Sequence, residues 1–493
     1  MAIASAVAAA PQRQWGLWAA FAALLMVVLL PAQEGLPAAG QYMLGVLLFA
    51  VILWMTEAVD YAVSAVIITA LMAFLLGMAP VVAKPGTLMG TSAALTLALG
   101  GFANTALALV AAALFLSAAM TVTGLDKRIA LWILSKVGAG TRRVVIGAIL
   151  VGIVLSFFVP STTARVACLV PIIMGIILAF GVDRRSRFAG LLMITTAQSA
   201  SIWNVGIKTA AAQNMVAVGF IEKMLQGTIT WLDWLIAAAP WSIAMSFVLY
   251  FVMVRMMPPE TEEVAGGRES IRRSLAELGP MTMAEKKLLL ISLALLGLWA
   301  TEKVLHPFDT ASTTVAAIAL MFVPGIGIMD WKQVQNRIPW GTVVLFGVGI
   351  SLGTALLQTK AAGWLANLIV TGFGLQNMPV LLILAVMSLF LIVIHLGFAS
   401  ATALASAMIP IIISVLQSVQ TPGLNVMGMT LLLQFVVSFG FILPVNAPQN
   451  MVVYATDTFS ARDFVRTGLA LTVAGYVLVL VLGATWWQWL GYV

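Results

Sequence analysis

The sequence predicts an all-α polytopic membrane protein, and three observations carry that prediction. Of its 493 residues, 62% are hydrophobic and only 9% charged, with a mean hydropathy of +1.07, whereas soluble domains run at roughly 45–50% apolar and about 25% charged. With so few charged side chains to cover a water-facing surface, most of the exterior must meet lipid. Second, apolar runs recur along the whole chain, separated by short polar loops. Third, basic residues gather in those loops, at Arg13, Lys127, Arg128, Arg142, Arg143, Arg184, Arg185 and Arg187, the bias of loops held on the cytoplasmic side. The net charge of +7 is therefore a topology signal, and no nucleic-acid partner is expected from it. One cysteine, Cys168, excludes an internal disulfide, and two histidines, His306 and His395, argue against a Cys/His metal centre.

Taken in order, residues 1–13 are small and apolar, and the run 15–30 is too long and wrongly flanked for a cleavable signal peptide, so it is read as a retained first span. Further runs follow at 41–56, 61–80, 104–122, 143–159, 165–181, 188–205 and 229–256, then at 286–301, 310–328, 340–358, 379–397, 403–418, 424–444 and 465–489. Several fall short of the ~20 residues that cross a hydrocarbon core. Their Gly, Pro, Ser and Thr interruptions predict re-entrant hairpins and broken helices, which are tolerated only where bare backbone is buried in protein or lines a wet cavity. The expected architecture is about eleven transmembrane helices plus two re-entrant hairpins. The first loop, 31–41, carries Glu34 and no Lys or Arg, which places the basic N-terminus in the cytoplasm and the C-terminus outside. The longest polar stretch, 258–287, reads as a cytoplasmic connector between a first repeat, 1–257, and a second, 288–493. Trp486, Trp487, Trp489 and Tyr492 read as an interfacial aromatic belt.

The two halves resemble each other. Thr56-Glu57 and Thr301-Glu302 each close an apolar run, 245 residues apart (301 − 56). Ser161-Thr162-Thr163-Ala164 with Pro171-Ile172-Ile173 recurs as Ser400-Ala401-Thr402-Ala403 with Pro410-Ile411-Ile412, at 239 (400 − 161). Gln213-Asn214-Met215-Val216 recurs as Gln449-Asn450-Met451-Val452, at 236 (449 − 213). Three matches in one order at nearly one offset mark an internal duplication. With the N-terminus inside, the span ending at Glu57 runs inward and the span ending at Glu302 runs outward, so the repeats are inverted. Inverted repeats with breaks in matching positions are the sequence pattern of secondary transporters, which bind substrate where the breaks meet.

The stretches 159–173 and 397–412 each set small hydroxyl residues at an interruption between two apolar helical halves. A helix N-terminus with hydroxyls beside it is a ready site for a carboxylate or phosphate. An isolated Ser/Thr cluster in a membrane helix more often packs or back-bonds, but the symmetric recurrence favours binding. At these residues, and at TEAV (56–59), TGLDKRIAL (123–131), PSTTAR (160–165), the PW-x6-G-x-G run (339–349), FASATA (398–403) and LPVNAPQN (443–450), the chain resembles the divalent anion/sodium symporter superfamily of di- and tricarboxylate symporters and anion exchangers.

That resemblance implies a homodimer with a scaffold domain and a transport domain that moves as an elevator. It also implies two Ser-Asn-Thr motifs at hairpin tips that hold substrate carboxylates, matched here by Ser161-Thr162-Thr163 and Ser400-Ala401-Thr402. Both middle residues depart from the pattern: Thr162 keeps a hydroxyl and loses the amide, and Ala401 keeps nothing polar. Sodium-driven members bind sodium beside these motifs, near Ser161, Asn214, Ser400 and Asn450 here, whereas exchangers place a fixed cation there. Arg165, costly at depth, matches the exchangers. The equivalent residue in the second half is Leu404, where exchangers often carry His; His395, nine residues upstream, could take that place only if the chain folds back, and reads instead as a neutral ring bonded to a helix carbonyl. Lys208 either snorkels to an interface or adds positive charge to the anion cavity. Asn214 and Asn450 read as substrate or sodium-site amides, with structural bridging the alternative. Glu57 and Glu302 read as helix-end anchors.

The function expected is secondary transport of a small dianion, a C4 or C5 dicarboxylate, across the cytoplasmic membrane by anion exchange or sodium coupling. A sulfate, sulfonate or other oxyanion is the alternative within transport. An intramembrane enzyme would need paired acids, a Ser–His pair or a metal constellation in the spans, and a channel would need charge rings or a filter repeat; no such spacing stands out. The partners expected are the anion, the bilayer and a second copy of the chain, with sodium as the one possible inorganic companion and no other cofactor.

Overall fold

The computed structural model describes residues 14–138, 140–179, 181–260 and 267–493, so the basic end at Arg13 lies outside the described residues. The helices of the first half are α1 (Gln14–Leu29), α2 (Ala38–Thr56), α3 (Tyr61–Gly77), α4 (Thr91–Leu99), α5 (Thr105–Thr123), α6 (Leu125–Val137), α7 (Thr141–Phe158), α8 (Thr162–Ala179), α9 (Arg187–Gly206), α10 (Ala212–Leu225) and α11 (Trp231–Met256). The connector holds α12 (Gly267–Glu277). The second half runs through α13 (Met283–Ala300), α14 (Thr310–Phe322), α15 (Trp331–Val334), α16 (Trp340–Gln358), α17 (Ala361–Gly372), α18 (Val380–His395), α19 (Ala401–Ser418), α20 (Val426–Val437), α21 (Pro448–Tyr454), α22 (Ala461–Gly483) and α23 (Trp486–Trp489). Among the described residues the sole sheet is the antiparallel ribbon of β1 (Pro80–Val81) and β2 (Lys84–Leu88). An almost purely helical fold is what lipid demands, because a helix satisfies its own backbone.

Among the described residues, eight helices are both long and apolar enough to cross a membrane: α2, α5, α7, α8, α11, α16, α19 and the final α22–α23 stretch. That is fewer than the eleven expected, for two physical reasons. Several helices, among them α3, α14, α18 and α20, are apolar but shorter. The 20-residue α9 fails on composition, carrying Thr195, Thr196, Gln198, Ser199, Ser201 and Asn204, yet it is buried from Phe188 to Gly206. Enclosed by protein, α9 has no need to be apolar towards lipid. Of the short helices absent from the expected runs, α4 and α17 are apolar but too short to span, and α6 and α12 are too polar; α12, read from sequence only as polar connector, packs against α6 and α8 and buries Ile271.

The two expected breaks are present. Between α9 and α10 the chain makes a 3-10 turn at Lys208–Ala210, and between α20 and α21 it makes another at Pro444–Asn446. Helix α8 lies against α21 and α19 against α10, so each hydroxyl motif sits against the broken helix of the other half. Helix α16 crosses α19 at close range: a Cβ on Gly349 would stand 2.6 Å from Ser406 Oγ, and one on Gly353 2.4 Å from the Phe220 ring and 3.0 Å from Pro410. Those two positions need glycine for space.

Candidate functional site

The two hydroxyl motifs come together. Ser161, Thr162, Thr163, Ser400, Ala401 and Thr402 all line one cavity of about 690 Å³, within the usual size of a small-molecule pocket. Each motif serine caps its helix: Ser161 Oγ accepts from the Ala164 amide at 3.4 Å and Ser400 Oγ from the Ala403 amide at 3.3 Å. Each hydroxyl accepts from its helix end and keeps its proton to donate to a guest. The cavity therefore receives the positive ends of two 18-residue helices together with hydroxyl donors, an arrangement suited to an anion.

Arg165 is wholly buried and does not line this cavity. Its Nη1 donates to Val159 O at 2.8 Å and Ala210 O at 3.1 Å, and its Nη2 donates to Asn204 Oδ1 at 2.6 Å and more weakly to Ala200 O. Every acceptor is neutral, and no acid pairs with it among the described residues. The charge lies directly behind two lining residues, since Thr162 Oγ1 also donates to Asn204 Oδ1 at 2.7 Å.

Asn214 and Asn450 do not line the cavity either. Asn214 Nδ2 donates to Asn204 O and Ile207 O at 2.7 and 3.1 Å, and Asn450 Nδ2 to Gly440 O and Leu443 O at 2.8 and 3.4 Å. Each amide pins carbonyls at the break of its helix, and the preceding residues, Gln213 and Gln449, line the cavity instead. Lys208 neither snorkels nor reaches the cavity: it is buried, and its Nζ donates to Ile229 O at 2.7 Å. The His395 ring is buried beside the Asn446 backbone, close enough to interact with it, although neither nitrogen reaches full hydrogen-bond geometry among the described residues. Glu302 does anchor helix ends, accepting from Thr310 Oγ1 at 2.7 Å and from the Trp231 amide at 3.3 Å. Of the expected aromatic belt, Trp486 and Trp487 instead donate to Ile236 O and Ala237 O of α11, Trp487 is buried, and Trp489 alone of the three indoles is strongly exposed.

A sodium ion needs several oxygens converging on one point. Beside the first motif the carbonyls of Val159 and Ala210 and the Asn204 oxygen already hold the Arg165 guanidinium. Beside the second, the carbonyls of His395, Leu396 and Phe398 accept from Asn446 Nδ2 at 2.9, 3.4 and 3.0 Å. Both carbonyl clusters accept from N–H donors. Sequence reasoning missed Tyr61, Ser117, Thr121, Asn204, Arg337 and the two glutamines as lining residues; only the glutamines, inside the repeated Gln-Asn-Met-Val, carried a signal that could have found them.

A family model described as the sodium:sulfate symporter transmembrane region matches residues 11–493. A membrane protein of Cupriavidus necator is 58% identical over 480 residues, covering 97% of this chain and 93% of that one. The sodium-dependent dicarboxylate transporter SdcS of Staphylococcus saprophyticus is 25% identical over 93% of this chain and 88% of its own. The L-tartrate/succinate antiporter of Escherichia coli K12 is 26% identical over 96% and 97%. Among solved structures, the YdaH transporter of Alcanivorax borkumensis superposes with a TM-score of 0.55 over 88% of this chain and 98% of that one at 15% identity, a likeness of fold.

Proposed function

The chain belongs to the sodium:sulfate symporter family of multi-pass membrane anion transporters, and from that premise we propose that it is a secondary carrier of a small dianion, a C4 or C5 dicarboxylate, working by exchange. The observation that carries this reading is the pair of hydroxyl-capped helix ends meeting in one cavity, with a buried, acid-free guanidinium behind one of them. Ser161, Thr163, Ser400 and Thr402 donate to the two carboxylates, Gln213 and Gln449 add amide donors, and Arg165 supplies fixed positive charge. Two carboxylates at opposite ends of a short chain match two helix ends facing each other. Relatives named as a dicarboxylate transporter and a tartrate/succinate antiporter support that substrate class.

The hairpins α7–α8 and α18–α19, with the broken helices, form the moving part in this reading. They shift as an elevator against α3, α5 and α16 within a homodimer of inverted repeats, N-terminus cytoplasmic and C-terminus outside. The glycine-smoothed crossing of α16 on α19 supports such sliding. Fixed charge dictates the coupling. An unpaired charge in the low-dielectric interior is costly; a sodium carrier sheds its cations with its substrate, whereas Arg165 cannot leave. The empty transport domain then returns slowly, and one anion is exchanged for another. The family description itself favours a second reading, sulfate as the dianion, since a hydroxyl- and helix-end-lined cavity suits either.

Proteoliposomes loaded with succinate, tartrate or sulfate and given labelled succinate outside test both points. Uptake is expected only with internal dicarboxylate and without sodium. Strong sodium-driven uptake into empty vesicles would overturn exchange, and transport of sulfate alone would overturn the dicarboxylate.

A further inference from the structure

Arg337 is the one charged side chain lining the cavity among the described residues. It is exposed, and its guanidinium is paired with no acid among the described residues. It ends a short turn, Gln335–Arg337, between α15 and α16. That turn is held stiffly: Trp340 Nε1 donates to Gln335 O at 2.9 Å, and the Trp340, Trp331 and Phe115 rings cluster with centroids 5.6–6.2 Å apart. Arg337 is therefore fixed to α5 and α16, on the wall facing the hairpin tips, and not to the tips themselves.

The parts of that wall beside it are helix ends. Tyr61 opens α3 and Thr121 lies in the last turn of α5, while Arg337 precedes α16. With the N-terminus read as cytoplasmic, the order of the helices puts all three ends on the cytoplasmic side, and Lys127 and Arg128 beyond α5 and Lys332 before α16 agree with that. We propose that Arg337 is a sided recognition residue: it binds the anion while the cavity is open to the cytoplasm and stays behind when the hairpins carry the anion across. This rests on the carrier reading above, with the hairpins as the moving part. Arg165 and Arg337 then divide the electrostatic work. The buried cation travels with the substrate and acts on both sides, whereas the exposed one offers a bidentate, charge-assisted contact on one side only. A carrier built this way has a tighter internal site than external site, although the hairpins present the same donors to both.

The test is the half-saturation of succinate exchange measured separately from each face, in right-side-out and inside-out vesicles with the opposite face saturated. Arg337→Gln should raise the internal half-saturation about three- to tenfold, the loss of one exposed charge-assisted contact, with the external value and the maximal rate unchanged. Arg337→Lys should restore part of the internal affinity, and Arg337→Glu should weaken it further. A rise on the external face, on both faces or on neither overturns the proposal. A wild type that exchanges no succinate overturns the dicarboxylate-exchange reading itself; a wild type that exchanges it, with Arg337→Gln indistinguishable from it on both faces, overturns only the role of Arg337.

Discussion

The first hairpin tip with its helix break and the second tip with its break face the same backbone problem and solve it with different chemistry. In the first, a cation from the hairpin reaches the carbonyls: Arg165 bonds Val159 O, Ala210 O and the Asn204 side chain. In the second, the matching residues are Leu404, Gly440 and Asn446, and a neutral amide from the broken helix reaches back to the hairpin, Asn446 Nδ2 bonding His395 O and Phe398 O. A Cβ on Gly440 would lie 3.5 Å from the His395 ring, so the room that Asn204 fills in one half lies beside a buried imidazole in the other. Backbone symmetry has been kept while charge symmetry has been lost. One hydroxyl-bearing tip therefore has a fixed positive charge behind it, and the other has only a neutral amide.

The largest effect should come from removing the cation. Arg165→Ala takes the guanidinium from the Val159 and Ala210 carbonyls and removes the fixed positive charge behind the first tip, so exchange of labelled succinate should fall below detection while the protein still elutes as a folded species. Exchange at the wild-type rate would show the asymmetry to be functionally idle. Next, Asn446→Ala leaves the second carbonyl cluster without its donor, at about 1–3 kcal/mol. Thermal melting in detergent should show a drop of several degrees, with Asn446→Asp, which restores no N–H, no better. An unchanged melting temperature would mean that the second cluster needs no donor.

The hydroxyls come third. Thr163→Ala and Thr402→Ala each remove a donor worth ~1.5–3 kcal/mol to a charged guest and should weaken succinate binding at least several-fold without altering stability; affinity unaltered in both would remove the motifs from the site. The Thr163 change should be the milder, because Arg165 backs that tip.

The smallest effect concerns the turns after Thr56-Glu57 and Thr301-Glu302. Asp309 caps α14, accepting from the Ser312 amide at 2.9 Å and its hydroxyl at 2.7 Å, whereas Asp60 makes no cap bond to α3. Partial burial alone would raise the Asp309 pKa, but the Ser312 donors outweigh it and hold it below its usual 3.8. A carboxylate with a depressed folded pKa stabilises the protein above its unfolded value and loses that contribution as pH falls through the folded one. Asp309→Ala should therefore cost about 1 kcal/mol at pH 7 and less below pH 4, while Asp60→Ala should cost little at any pH. Melting curves of the two variants at pH 7 and pH 3.5 check this, and equal losses would erase the distinction between the turns.

The breaks, the motif-bearing tips and their pairing were legible because each leaves a local mark. Pro171 and Pro410 sit inside α8 and α19, small hydroxyl residues sit at the caps, and the same tetrapeptide follows both breaks. Direction was not legible. Sequence pointed to Asn214 and Asn450, but an amide beside a helix break can bond the broken backbone or face the guest, and only the packed break shows that the asparagines do the first and the glutamines line the cavity. Lys208 and the tryptophans of α23 misled for the same reason, since each found a carbonyl on α11 or just before it that no sequence interval announces.

What the sequence determined by itself is the solvent and the local grammar: a chain this apolar must live in lipid as helices, and its interruptions must be shielded from lipid because bare amides and carbonyls cannot be left there. What only the tertiary structure decided is where the charges ended up. A buried cation such as Arg165 is stable only where several acceptors converge, and those acceptors come from three separate stretches, at 159, 200–204 and 210. Arg337, from a loop more than a hundred residues away, enters the same cavity through the packing of α5 against α14 and α16. Convergence of that kind is a property of the packed helices, and linear spacing carries no record of it.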